Sequence, residues 1–280
     1  MYTKPENTSE KANTPRKAMT VLQLAKMKQA GEKIACLTAY DASFAALLDN
    51  AGIDLLLVGD TLGMVIQGRD STLPVSVDDI VYHTQAVARG NRLSFLVADM
   101  PFNSYSDPVR AVDNAARMMA EGGAQMVKLE ATANQEAVIS ALAGQGIPTC
   151  AHLGLRPQSV HKLGGFKVQG KEQAAAKQMQ ADAQALEAAG ADLLLLECVP
   201  SALAAEITRT AHVPVIGIGA GPDTDGQILV LYDMLNITPG KKPRFAKNYL
   251  TPGETLDSAV QCFIKEVKTG AYPQPEHGFE

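Results

Sequence analysis

Eight short apolar runs recur along the chain, at residues 34–39, 54–59, 93–98, 126–129, 148–153, 192–198, 213–218 and 227–232. They are continuous rather than alternating, as in strands buried on both faces of a parallel sheet. Between most of them lie alanine-rich stretches with helical spacing: 43–50, 77–89, 108–121, 134–142, 172–189 and 201–209, with an amphipathic helix at 255–268. Pro108 stands where a helix start tolerates proline, and Gly122-Gly123 is a stop signal. Asn50-Ala51-Gly52, Glu121-Gly122-Gly123-Ala124 and Ala189-Gly190-Ala191-Asp192 read as helix C-caps leading into strands. Eight strands alternating with helices predict an α/β fold, a (β/α)8 TIM barrel, over residues 19–280 as a single catalytic domain. An open doubly wound sheet is the alternative, but its GxGxxG fingerprint after the first strand is absent. The polar residues 1–18 are expected to form a disordered tail. The loop 154–170 is long with little helical character, a common form of functional lid.

Composition narrows the picture without redirecting it. Hydrophobic residues are 46% of the chain, enough for a core that needs neither disulfide nor structural metal. The net charge of −5 gives no hint of the basic face that nucleic-acid binders carry. The apolar runs fall far short of the ~20 residues of a membrane helix. The N-terminal stretch lacks an apolar segment and contains Glu6 and Glu10, so neither a secretory signal nor a transit peptide is expected. Cys36, Cys150, Cys198 and Cys262 form no CxxC pair and read as reduced thiols of a cytosolic protein.

Active sites of such barrels lie at the C-terminal ends of the strands. The polar residues there are Asp60 and Thr61 after the second run, Asp99 after the third, Lys128 and Glu130 on the fourth, His152 on the fifth and Glu197 on the sixth. One Asp at a strand end often only caps the next helix, and Asp41 is expected to do so for 43–50. Four carboxylates on one rim are different, because they repel one another and are costly to bury unpaired. Lys128 supplies one positive charge. A divalent cation would supply the rest, and hard oxygen donors suit magnesium or a similar ion. Lys128 and Glu130 are spaced i, i+2 and share a strand face. They form either an internal salt bridge or a metal-ligating carboxylate beside a lysine that holds an anionic substrate. Gly217-Ile218-Gly219-Ala220-Gly221 is either a phosphate-holding loop or a tight strand exit. His152 either supports the site from behind or is a satisfied core histidine.

At these residues the chain resembles the ketopantoate hydroxymethyltransferase family. The resemblance is carried by Leu37-Thr38-Ala39-Tyr40-Asp41, Val58-Gly59-Asp60-Thr61-Leu62-Gly63-Met64, Gln67-Gly68 and Ser71-Thr72-Leu73-Pro74. It continues through Met126-Val127-Lys128-Leu129-Glu130, His152-Leu153-Gly154-Leu155, Pro157-Gln158 and Leu196-Glu197-Cys198-Val199-Pro200. Ile216-Gly217-Ile218-Gly219-Ala220-Gly221 and Phe245-Ala246-Lys247-Asn248 complete it, from about Thr20 onward. It implies transfer of a hydroxymethyl group from 5,10-methylenetetrahydrofolate to 3-methyl-2-oxobutanoate, giving 2-dehydropantoate in pantothenate biosynthesis through a magnesium-stabilised enolate. It also implies Mg2+ and a cytoplasmic homo-oligomer, commonly a decamer. Asp60, Asp99 and Glu130 would ligate the metal. Asp60, Thr61, Asp99 and Lys128 would contact the 2-oxo acid, and Glu197 would be the general base. No residue pattern reads the folate.

Three features depart from the family pattern. Thr61 stands where Ser is usual, which keeps the hydroxyl and adds a methyl. Asn103-Ser104 differs from the usual residues after the third run, and the polar N-terminal stretch is longer. Because the implied substrates carry no phosphate, 217–221 is read as a tight strand exit. The enzyme alternative is another magnesium-dependent 2-oxo acid carbon–carbon lyase on the same barrel, but the Lys-Lys-Cys-Gly-His loop of the isocitrate lyase type is absent. A Schiff-base aldolase using Lys128 would need a neutral lysine, which Glu130 beside it opposes. A non-catalytic scaffold barrel would leave the crowded carboxylates without purpose.

Overall fold

In the computed structural model, which describes residues 16–240 and 242–280, each apolar run supplies one strand. The strands are β1 (Ile34–Thr38), β2 (Leu55–Val58), β3 (Phe95–Asp99), β4 (Met126–Glu130), β5 (Thr149–Gly154), β6 (Leu193–Glu197), β7 (Val215–Ile218) and β8 (Gly226–Leu229). Among the described residues they close one barrel in chain order, each strand parallel to the next and β8 parallel to β1. All their residues are buried except Glu197, which is half-buried at the rim. That two-sided burial is why the runs are continuous in sequence.

The expected helices form at Ala42–Ala51, Val77–Gly90, Pro108–Ala120, Glu136–Gly144, Gln173–Ala188, Ser201–Thr210 and Leu256–Thr269. Asp41 caps the first of these, its carboxylate accepting from the backbone N–H groups of Ser43 at 2.8 Å and Phe44 at 2.9 Å. Gly52, Gly123 and Gly190 follow helix ends with positive φ, as their cap positions require. A helix that the apolar pattern did not single out, Val21–Ala30, is capped by Thr20 and buries Leu24 and Met27. Its Lys28 pairs with Asp225 at 2.7 Å, which ties the helix to the chain entering β8.

Several boundaries differ from the pattern. The eighth run was expected to extend to residue 232, but β8 ends at Leu229 and Leu231–Met234 is helical. β1 ends at Thr38, whose hydroxyl accepts the Leu231 N–H at 3.0 Å and turns the chain out of the sheet. The loop 154–170 is not bare: a 3-10 turn at Pro157–Ser159 and a short helix at Val160–Leu163 lie within it. β7 leads through residues 219–225 directly into β8, where strict alternation would place a helix. Gly219 permits this exit, with φ of 59° and no room for a Cβ, which would lie 2.8 Å from the Phe245 ring. That packing fits the tight strand exit rather than a phosphate cradle.

Of the expected tail 1–18, residues 1–15 lie outside the described residues. The half-buried Arg16 donates to the Asp49 carbonyl at 2.8 Å. Asp49 is a buried staple: its carboxylate accepts from the N–H groups of Arg92 and Leu93 at 3.1 Å, and of Ser94 at 2.9 Å. It thereby fixes the entry to β3 against the helix Ala42–Ala51. Asp49→Ala would strand buried donors and cost about 3 kcal/mol, a fall of roughly 5–10 °C in thermal midpoint. A midpoint equal to wild type would mean that water replaces the carboxylate there.

Candidate active site

The barrel brings all the candidate side chains to one rim. Asp60 and Thr61 follow the end of β2, Asp99 ends β3, Lys128 and Glu130 lie on β4, His152 lies on β5, and Glu197 ends β6. Strand register sets Asp99 beside Lys128, Glu130 beside His152, and Gly154 beside Glu197. Asp60, Thr61, Asp99, Lys128, Glu130 and Glu197 line a single cavity, with His152 among its walls.

Its electrostatic centre is the buried pair Lys128–Asp99. The Lys128 ammonium donates to both Asp99 oxygens, at 2.7 and 2.6 Å. Burial opposes the lysine's charge, but Asp99 and Asp60 outweigh it and hold the ammonium above the ordinary lysine range. The ion-pair partner is thus Asp99, from the neighbouring strand, rather than Glu130 two residues along. The internal i, i+2 salt bridge is not the arrangement adopted.

One ammonium does not balance the rim. Burial, and then the charge of Asp99, push the Asp60 carboxyl well above the usual carboxylate range, against the pull of Lys128 and Gln158. Burial pushes Glu130 up to about 8. Glu130 Oε1 accepts the Gln158 backbone N–H at 2.8 Å, while Oε2 is buried with no hydrogen-bond partner among the described residues. Such an orphaned oxygen is costly and marks a place where a further positive group would bind.

Hard oxygen donors with surplus negative charge fit a divalent cation such as magnesium at Asp60 and Glu130. Asp99, the third expected ligand, also receives the Lys128 ammonium on both of its oxygens. Among the described residues no three His, Cys, Asp or Glu side chains converge as a ready metal-holding group.

Glu197 lies across the cavity, its side chain 17% exposed, and burial pushes its carboxyl up to about 7. His152 Nε2 is 3.2 Å from Glu197 Oε2. The alignment makes no hydrogen bond, and both ring nitrogens are buried without one among the described residues. Burial and Lys128 together hold the imidazole well below its ordinary pKa, so His152 is neutral and this contact is not an ion pair. His152 is therefore not a satisfied core histidine; it backs the Glu197 carboxylate. Gly154 lets β5 pass this point: its φ is 91°, and a Cβ there would overlap the Glu197 carbonyl. On the opposite wall the Thr61 hydroxyl is held 2.8 Å from the Tyr40 hydroxyl.

The residue that the apolar runs did not disclose as functional is Gln158, although it sits in the quoted Pro157-Gln158 motif. Its backbone N–H binds Glu130, and its side-chain amide donates to Asp60 Oδ2 at 2.8 Å and to the Met100 carbonyl at 2.9 Å. Tyr105 donates to its carbonyl oxygen at 2.5 Å. One glutamine from the long loop after β5 thus locks two of the expected metal ligands. The sequence signals for it were the length of that loop and the Pro157-Gln158 motif, neither of which gave it a role.

Comparison with known proteins identifies the family. The family model described as ketopantoate hydroxymethyltransferase matches residues 18–275. The 3-methyl-2-oxobutanoate hydroxymethyltransferase of Halorhodospira halophila is 56% identical over 263 residues, covering 94% of this chain and 95% of that protein. The protein of the same name from Alkalilimnicola ehrlichii is 55% identical over 264 residues, covering 94% and 95%. Among solved structures, a putative phosphonomutase from Burkholderia cenocepacia superposes with a TM-score of 0.61 at 17% identity, over 77% of this chain and 93% of that one. An oxaloacetate acetylhydrolase does so with a TM-score of 0.56 at 14% identity, over 91% and 98%. These distant structures share the barrel alone, whereas the sequence matches run almost end to end. The chain belongs to the ketopantoate hydroxymethyltransferase family.

Proposed function

We propose that the protein is a one-carbon transferase that moves a hydroxymethyl group from 5,10-methylenetetrahydrofolate to 3-methyl-2-oxobutanoate, forming 2-dehydropantoate. The names of its relatives at about 55% identity support the reaction. The observation that carries the reading is one cavity holding Glu197, raised to about 7, opposite the Lys128–Asp99 pair and the unpartnered Glu130 oxygen. A carbon acid beside a ketone needs a base whose pKa lies near neutrality and a positive environment for the enolate. Glu197 would take the C3 proton onto its carboxylate. Neutral His152 would flank that carboxylate without adding charge. Lys128 would offset the negative charge of the 2-oxo acid and its enolate, and Asp60, Thr61 and Asp99 would orient it. Magnesium held by Asp60, Asp99 and Glu130 would supply Lewis-acid polarisation of the 2-oxo group. The enolate carbon would then form its new bond to the one-carbon unit as that unit's two bonds to the folate nitrogens break, with water supplying the hydroxyl oxygen and tetrahydrofolate leaving.

Among the described residues no helix is long and apolar enough to cross a membrane. The family resemblance supports a cytoplasmic homo-oligomer, commonly a decamer. The Schiff-base alternative is disfavoured by the Asp99 contacts, which hold Lys128 protonated.

The primary test is exchange of the C3 proton of 3-methyl-2-oxobutanoate in deuterated buffer, with and without magnesium, repeated with tetrahydrofolate. Metal-dependent exchange is the expected outcome; none under any of these conditions would reject the substrate. Because Glu197 works ionised, the exchange rate should fall as pH drops below about 7. Glu197→Gln should remove that acid limb and lower the rate about 10²–10⁴-fold, with 2-oxo acid binding largely kept. Asp99→Asn should weaken magnesium and 2-oxo acid binding together in calorimetric titrations; full retention of both would remove Asp99 from the site. Borohydride added with the 2-oxo acid should leave Lys128 unlabelled in peptide mass spectra, and a reduced adduct there would revive the aldolase reading.

A further inference from the structure

The catalytic cavity is small, about 50 Å³, and its wall is mostly the barrel itself. That suits a small 2-oxo acid and leaves no room for a donor the size of a folate. A second cavity of about 230 Å³ opens beside it, between the loop after β3 and the loop after β5. Glu130 lines both spaces. Pro157 of the catalytic cavity is flanked in the chain by Arg156 and Gln158 of the second one. The two rooms therefore adjoin at the carboxylate rim.

The second cavity's lining is unlike the first. Phe102 is 52% exposed at its edge, an unusual position for a large apolar ring. Tyr105 faces the same space, held by its hydroxyl on Gln158. Asn134 and Gln135 bring amide groups, and the Gln135 carbonyl oxygen is already used by the Thr132 N–H at 2.9 Å, leaving its NH2 to donate. Arg156 is half-buried there, and its guanidinium makes no hydrogen bond or ion pair among the described residues. Residues 154–171 carry Arg156, Lys162, Lys167 and Lys171 with no Asp or Glu, in a chain whose net charge is −5. An exposed and a half-buried aromatic ring, amide donors and a guanidinium without a partner among the described residues are the groups that a flat heteroaromatic ligand with a carboxylate tail would meet.

We propose that this second cavity docks the one-carbon donor, with Phe102 and Tyr105 packing on its aromatic rings and Arg156 pairing with a carboxylate of its glutamate tail. The inference rests on the folate reading given above and assigns that substrate a place, which the sequence left unread. The donor's reactive carbon would then enter the catalytic cavity past Glu130. The loop after β5 would serve both substrates: Gln158 orders the carboxylate rim while Arg156, two residues earlier, holds the donor. Asn103 lies on the rim of this cavity, so the departure from the family pattern at Asn103-Ser104 falls where donor contacts are made.

Calorimetric titration of the full-length protein with tetrahydrofolate tests the proposal, using Phe102→Ala and Arg156→Gln. Both side chains are at least partly exposed, so neither truncation should unfold the barrel. Each variant should weaken tetrahydrofolate binding about tenfold. Tetrahydropteroate, which lacks the glutamate, separates the roles: Arg156→Gln should bind it as wild type does, and Phe102→Ala should bind it more weakly. C3 proton exchange at saturating tetrahydrofolate should match wild type in both variants. Wild-type folate affinity in both variants would overturn the proposal and point to another occupant, such as a second copy of the chain. Exchange that falls in both variants would also overturn it, because the cavity would then belong to the 2-oxo acid. Failure of the functional reading looks different: wild-type protein would neither exchange the C3 proton nor bind tetrahydrofolate.

Discussion

The Lys128–Asp99 pair at the mouth of the barrel is the interaction around which the site is arranged. Removing two charges from water is expensive, and only close, well-satisfied geometry repays it. Here the ammonium meets both carboxylate oxygens, and Asp99 also accepts the Asp60 backbone N–H at 3.3 Å, so the pair fixes the exit of β2 as well. Once Lys128 is committed to Asp99, the neighbouring carboxylates are left with too little positive charge. The rise of Glu130 to about 8 and of Glu197 to about 7 follows from their burial without a comparable partner. Surplus negative charge at the rim and a carboxyl raised toward neutrality both come from one shortage of positive charge.

Rigid strands and one ordered loop divide the labour. Closure of the barrel sets the register that places Asp99 beside Lys128 and Glu197 beside Gly154. Strand residues are therefore positioned by backbone hydrogen bonds and need no further support. Asp60 lies beyond the end of its strand and depends on Gln158, whose amide reaches it from the loop after β5. That same loop carries Arg156 into the adjoining cavity, so its ordering affects both spaces at once. The barrel itself is shared with proteins of other chemistry at under a fifth sequence identity.

Much of this was legible in the residues alone. Continuous apolar runs at regular spacing determined eight buried parallel strands, because only two-sided burial removes the polar alternation. Strand ends then named Asp60, Asp99, Lys128, Glu130 and Glu197 as neighbours, because a barrel collects the C-terminal ends of all its strands at one face. Asp41 was identifiable as a cap from its place directly before a helical stretch. What the sequence left open was pairing, since it records neither register nor side-chain direction. Only the closed barrel decided that Lys128 answers Asp99 across strands rather than Glu130 along its own, and that His152 stands neutral against Glu197. Only the fold of a loop without periodicity brought Gln158 onto Asp60, 98 positions away, and opened a second room beside the first. Local pattern fixes what is near in the chain, and contacts across such distances exist only once the core has closed.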